Sequence, residues 1–165
     1  MGWLFGWDTR KQLIDHLVNG NGVKTLAHCF KGNDMWAVQE YQREGGPLIR
    51  FICLYMLRGR SDQRDGWGYK DVSEDMGPYQ TSCPLSYLEL VKDFPPTGYA
   101  IEWRQKVVER HALASRKLEP GQRIRLYSKD YTVERVIPRR GYAINDDAGF
   151  AFRMKSSQVK DVVLV

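Results

Sequence analysis

Leu13, Ile14, Leu17 and Val18 recur at helical spacing, which predicts an N-terminal helix with one apolar stripe. Thr9 with Gln12 three residues on has capping-box spacing, and Trp7 is placed for a hydrophobic staple. Asn19-Gly20-Asn21-Gly22 ends the helix, and His16, between stripe residues, reads as structural. Three strands follow, over 23–31, 35–43 and 48–57, joined by the turns Gly32-Asn33-Asp34 and Glu44-Gly45-Gly46-Pro47. Links this short predict an antiparallel meander. The third strand, Leu48 to Leu57, is apolar at nearly every position, which requires cover on both faces. The N-terminal helix and two later helices can supply it. His28, mid-strand beside Cys29, reads as a packed, hydrogen-bonded residue.

The later helices are Cys83 to Val91, with Pro84 in its first turn, and Ala100 to Arg116. Pro95-Pro96-Thr97-Gly98 separates them. On the longer one Ala100, Trp103, Val107, His111, Ala114 and Leu118 form one side, and Glu102 with Lys106 gives a favourable i,i+4 pair. At Leu118-Glu119-Pro120-Gly121 the pattern changes from helical to alternating. Strands are expected over 123–127, 131–137, 142–144, 150–154 and 159–165, with turns at Pro138-Arg139-Arg140-Gly141 and Asn145–Gly149. Five short strands in fewer than fifty residues resemble an SH3-like barrel, in which the last strand closes an exposed edge. The expected fold class is therefore α+β: a three-stranded antiparallel meander with covering helices over residues 1–117, and an SH3-like β-barrel over 118–165.

Composition fits this outline. A chain of 165 residues with 42% hydrophobic and 27% charged residues has enough apolar material for a packed core. No apolar run reaches the roughly 18–20 residues of a membrane span, and Met1-Gly2-Trp3-Leu4-Phe5 lacks a basic segment before Asp8, so neither a membrane partner nor a signal peptide is expected. Cys29, Cys53 and Cys83 are odd in number and widely spaced, which suits reduced thiols in a cytoplasmic protein. Charge is uneven: residues 1–99 hold 11 Lys/Arg against 12 Asp/Glu, and residues 100–165 hold 14 against 8. A basic C-terminal part suggests a partner rich in phosphate or carboxylate.

The polar stretch Arg58 to Asp71 is too irregular, on its pattern, for helix or strand, and the connection Arg58–Ser82 exceeds the usual length of a structureless loop. It gathers Arg58, Arg60, Arg64 and Lys70 with Trp67 and Tyr69 as candidate binding residues. If the protein is an enzyme, Asp65, Asp71 and Glu74 are the carboxylates for acid or base work, with arginines orienting a phosphorylated substrate. A structural reading makes these charges surface ion pairs and the two aromatics anchors of the loop. The second candidate is the barrel, where Arg123, Arg125, Lys129, Arg135, Arg139, Arg140, Arg153 and Lys155 lie among Tyr127, Tyr131 and Tyr142. Cations interleaved with rings suit a nucleic-acid surface; the alternative is a solvated basic face. No phosphate loop, dinucleotide fingerprint, nucleophile elbow or paired Cys/His at metal spacing occurs, so no cofactor and no metal are expected.

Gly66-Trp67-Gly68-Tyr69-Lys70-Asp71, Gly77-Pro78-Tyr79 and Cys83-Pro84-Leu85-Ser86-Tyr87-Leu88, with Met1-Gly2-Trp3-Leu4-Phe5 and Thr9-Arg10, resemble a family of uncharacterised proteins encoded mainly by phages and plasmids. The resemblance covers the N-terminal two-thirds of the chain and implies a mobile-element setting rather than a mechanism. The leading expectation is an accessory binding protein that acts on nucleic acid or on a host nucleoprotein defence complex. The others are a small nucleotide- or nucleic-acid-modifying enzyme with its site in 58–75, and an interaction module for a host protein.

Overall fold

The computed structural model describes residues 6–20, 22–59 and 66–165. They form α1 (Arg10–Asn19), β1 (Val23–Lys31), β2 (Asp34–Gln42), β3 (Leu48–Gly59), β4 (Trp67–Ser73), α2 (Leu85–Leu90), α3 (Tyr99–Ser115), β5 (Arg123–Leu126), β6 (Lys129–Ile137), β7 (Gly141–Asp146), β8 (Ala151–Met154) and β9 (Val163–Leu164). Three-ten turns cover Glu74–Met76 and Ser156–Asp161. The protein is mixed α+β with two antiparallel sheets, and it divides into compact units at residues 1–107 and 108–165, inside α3.

In the first unit the sheet order is β1-β2-β3-β4, so the expected three-stranded meander is extended by one strand. The added strand comes from the stretch read as irregular. Trp67–Ser73 pairs with β3 from Gly59 to Cys53, and β3 itself runs two residues beyond Leu57. Its charged, glycine-flanked sequence hides a strand that buries Tyr69 on one face and Val72 on the other. Backbone pairing with an apolar neighbour outweighs weak local propensity here.

The third strand is covered on both faces, as its composition requires. Cys53 and Tyr55 face α1 with Leu13, Leu17, Met35 and Ala37. Ile52, Leu54 and Met56 face the other helices with Trp36, Tyr87, Trp103 and Val107. Thr9 caps α1 through the reciprocal capping box with Gln12, and only Leu13 and Leu17 of its stripe are buried. Trp7 pairs with Tyr69 by backbone and packs against the same cluster. His28 is exposed, not packed.

The stripe on α3 is shorter than its spacing suggests. Ala100, Trp103 and Val107 are buried, whereas Ala114 is exposed and Leu118 lies beyond the helix in the second core. That second unit holds a five-stranded sheet in the order β8-β7-β6-β5-β9 around Ile124, Leu126, Val133, Tyr142, Ile144 and Met154. No pairing of β8 with β9 occurs among the described residues, so the sheet is open rather than a closed barrel. The segment expected as one strand from Val159 to Val165 is instead a three-ten turn followed by the two-residue β9, paired with β5.

Candidate functional site

Two places gather the candidate residues. The first lies at the end of the four-stranded sheet. Along its helix-covered face, the successive rows of β3 and β4 are Leu54 with Val72, Met56 with Lys70, and Arg58 with Gly68. Leu54 and Val72 belong to the core. Beyond them a cavity of about 730 Å³ opens, lined from the two strands by Met56, Arg58, Lys70 and Val72. Met76, Pro78 and Tyr79, which follow β4, and Tyr99 at the start of α3 complete the wall.

The wall is held in place by its own chemistry. Glu74 is 2% exposed. Its carboxylate accepts from Arg104 Nε at 2.6 Å and Nη2 at 2.9 Å, and from the Ile52 amide at 3.1 Å. Arg104 also donates to the carbonyls of Val91 and Phe94. Gly77 has φ +59, and a Cβ there would sit 3.2 Å from Tyr99 Cβ, so a side chain would push Tyr99 away. Lys70 is half-buried, and burial lowers its pKa against the opposing pull of Asp71. Arg58 is exposed, and its guanidinium rests near Met56 Sδ at 3.9 Å.

Of the sequence candidates in this stretch, Arg58 and Lys70 come together at the cavity. Trp67 does not anchor the segment: it is 62% exposed, while Tyr69 is buried and does serve as an anchor. Asp71 pairs with Tyr55 on the face opposite Lys70, and Glu74 is engaged by Arg104, so these two carboxylates share no site. Arg60, Arg64 and Asp65 lie outside the described residues.

The second place is the outer face of the five-stranded sheet. Arg123 and Arg125 alternate with the buried Ile124 and Leu126, so both point away from the core. Cross-strand register extends the face in two rows: Arg123–Thr132–Asn145–Ala151 and Arg135–Ala143–Arg153. A β-bulge at Glu134 rephases β6, which carries Arg135 onto this face instead of the core side. Small residues thus lie between arginines. Arg139, with φ +61, and Arg140 sit in the β6–β7 turn, and the Arg140 carbonyl accepts from Arg153 at 3.5 Å.

Internal carboxylates partly neutralise the face. Arg123 pairs with Asp147, and Arg125 holds Asp130 through Nε at 2.6 Å and Nη2 at 3.0 Å. Both arginines are raised, and Asp130 lowered, in pKa by these hydrogen bonds. Arg135, Arg139 and Arg140 have no carboxylate partner among the described residues. The whole formal charge of +5 belongs to this unit, since residues 108–165 hold 12 Lys/Arg and 7 Asp/Glu while residues 1–107 hold 13 of each.

The aromatic partners differ from those expected. Tyr142 is buried, its hydroxyl accepting from the Leu118 amide at 3.3 Å. Tyr131 packs edge-on against Phe152 at 5.7 Å. Tyr127 is exposed at the tip of the β5–β6 hairpin, where it and Ser128 both take positive φ. The sequence reading missed Phe150 and Phe152, both exposed near the β8 edge; their alternation with Ala151 and Arg153 resembled an ordinary buried strand. Among the described residues no group of three or more His, Cys, Asp or Glu could hold a metal ion, and no helix is long and apolar enough to cross a membrane.

Residues 95–129, about a fifth of the chain, match a domain of unknown function (DUF6927). The match spans α3, the turn after it and β5, and is consistent with an uncharacterised family. No curated protein and no solved structure matches the chain.

Proposed function

We propose that this chain is a non-enzymatic binding protein whose second unit engages nucleic acid through the basic outer face of its sheet. One observation carries this: register, with the bulge at Glu134, brings Arg123, Arg125, Arg135 and Arg153 onto a single face opposite the core. A flat array of guanidinium groups over small side chains suits a phosphate backbone, which is read by charge rather than by shape of a pocket. The strand order, with a three-ten turn before the last short strand, supports reading the unit as an SH3-like module. A nucleoprotein complex of a host defence system is one such target, and the mobile-element setting behind it rests on sequence resemblance alone. The enzyme alternative finds less support, because Asp71 and Glu74 lie apart and Glu74 is committed to Arg104.

Fluorescence anisotropy of the full chain with labelled duplex and single-stranded DNA and RNA, titrated with salt, tests this reading. Binding at low salt should weaken with a slope of about −0.9 per phosphate neutralised on duplex, or about −0.7 on single strand. Arg135→Ala with Arg153→Ala should flatten that slope by about two contacts' worth. Absence of binding to every nucleic acid at low salt overturns the proposal.

A further inference from the structure

Pleating assigns Met56, Arg58, Lys70 and Val72 to the covered face of the first sheet, yet two of the four are cations. Cations occupy core-side positions only where the core has ended, and here it ends in a cavity of about 730 Å³. We propose that this cavity binds a small molecule consisting of a flat ring system that carries one phosphate or carboxylate, with a mononucleotide as the representative size and chemistry.

Size comes first. Cavities that bury small ligands span roughly 300–1,000 Å³, are mostly apolar, and hold a few placed polar groups. Apart from two cations, this one is lined chiefly by apolar and aromatic groups. Tyr79 is 96% exposed, Tyr99 69% and Met76 57%, although all three border the same concavity. Scattered exposed rings are ordinary, but two tyrosines and a methionine around one hollow form a surface that a flat ring would cover.

Charge decides between kinds of ring. Arg58 has no carboxylate partner among the described residues, and its planar fork suits a phosphate or carboxylate. An uncharged ligand would desolvate Arg58 without compensation, which is costly. An alkyl anion would satisfy Arg58 but leave the tyrosines without a stacking partner.

The walls are preformed. The buried Glu74–Arg104 pair fixes the three-ten turn that carries Met76, and Gly77 permits the close approach of that turn to Tyr99. Arg58, Lys70 and Tyr79 take no part in the basic face of the second unit, so the two proposals stand or fall separately.

Calorimetric titration of the full chain with adenosine 5′-monophosphate, adenosine and inorganic phosphate tests the site. The monophosphate should bind, and adenosine should bind at least about tenfold more weakly, because a charge-assisted hydrogen bond is lost. Arg58→Ala and Tyr79→Ala should each weaken the monophosphate by about tenfold. Both side chains are exposed, so the variants should fold with an unchanged melting temperature. Lys117→Ala, an exposed residue of the other unit, should bind as the unsubstituted chain does. A short 5′-phosphorylated single strand forms a second arm: tighter binding than the monophosphate, still dependent on Arg58 and Tyr79, identifies a strand end as the source. Weaker binding of the strand identifies a free nucleotide. Undetectable monophosphate and strand at millimolar concentration, equal affinity for adenosine, or binding indifferent to both substitutions overturns the proposal.

Discussion

Arg104 Nε lies 2.6 Å from Glu74 Oε2, and the two side chains are 14% and 2% exposed. A pair this buried is expensive to break, because removing one partner leaves the other as an uncompensated charge. Glu74→Gln and Arg104→Met should each lower the stability of the first unit by about 3–5 kcal/mol. Replacing both with apolar residues should cost less than the sum of the two. Urea unfolding of the full chain measures this, and unchanged midpoints in the single variants would show that Glu74 has some role other than holding the wall.

Trp67 and Tyr69 sit two residues apart on β4 and point to the same side, but their exposures differ sharply. Tyr69 is buried between Trp7 and the core under α1. Tyr69→Ala should cost about 3–5 kcal/mol, whereas Trp67→Ala should stay within about 0.5 kcal/mol. Thermal unfolding followed by circular dichroism compares them. Equal losses would mean that Trp67 anchors the segment as its sequence suggests.

Alkaline pH should destabilise the first unit. Burial, then the charge of Asp71, pushes the Cys53 thiol up from 9.0 to about 12. Burial likewise raises Cys83 and the phenols of Tyr55 and Tyr87. The native state therefore keeps protons that the unfolded chain loses from pH 9.0 upward. Stability from these groups is full below that pH and falls as pH rises towards about 12. Denaturant midpoints across this range should decline, and less steeply in Cys53→Ala. A flat profile would contradict the burial of these groups.

The parts legible in the sequence were those with strong local chemistry. Thr9 and Gln12 announce the cap of α1, and the unbroken apolar run of β3 announces cover on both faces. β4 was not legible because its strand state depends on pairing with β3, a partner that no short window of sequence contains; Gly66-Trp67-Gly68 by itself reads as a turn. The β5–β6 turn was legible only as a break between strands ending at 127 and starting at 131, for a different reason. Tyr127 and Ser128 take the positive φ that Asn or Gly usually signals, so nothing in the sequence marks which two residues make the turn. The bulge at Glu134 did leave a trace: Val133 and Val136 are three apart, one more than a regular strand allows for two residues of the same face. Read with that spacing, Arg135 moves to the arginine face, and the basic site becomes visible from the sequence.

Asp130 and Asp147 provide the sharpest test of that face, because they hold Arg125 and Arg123 in internal pairs. Asp130→Asn with Asp147→Asn removes two negative charges and releases two guanidinium groups on the same side of the sheet. The pairs are solvent-exposed, where ion pairs add little to stability, so the melting temperature should change little. Affinity for nucleic acid should rise, and the salt slope should steepen by up to about two contacts' worth. Arg139→Ala with Arg140→Ala should act in the opposite direction, flattening the slope by about one to two units, since both turn arginines are exposed. Anisotropy titrations over a range of salt read both effects in one assay. If neither pair of substitutions moves the slope, the phosphate backbone does not lie on this face, and the charge of the second unit serves an acidic protein surface instead.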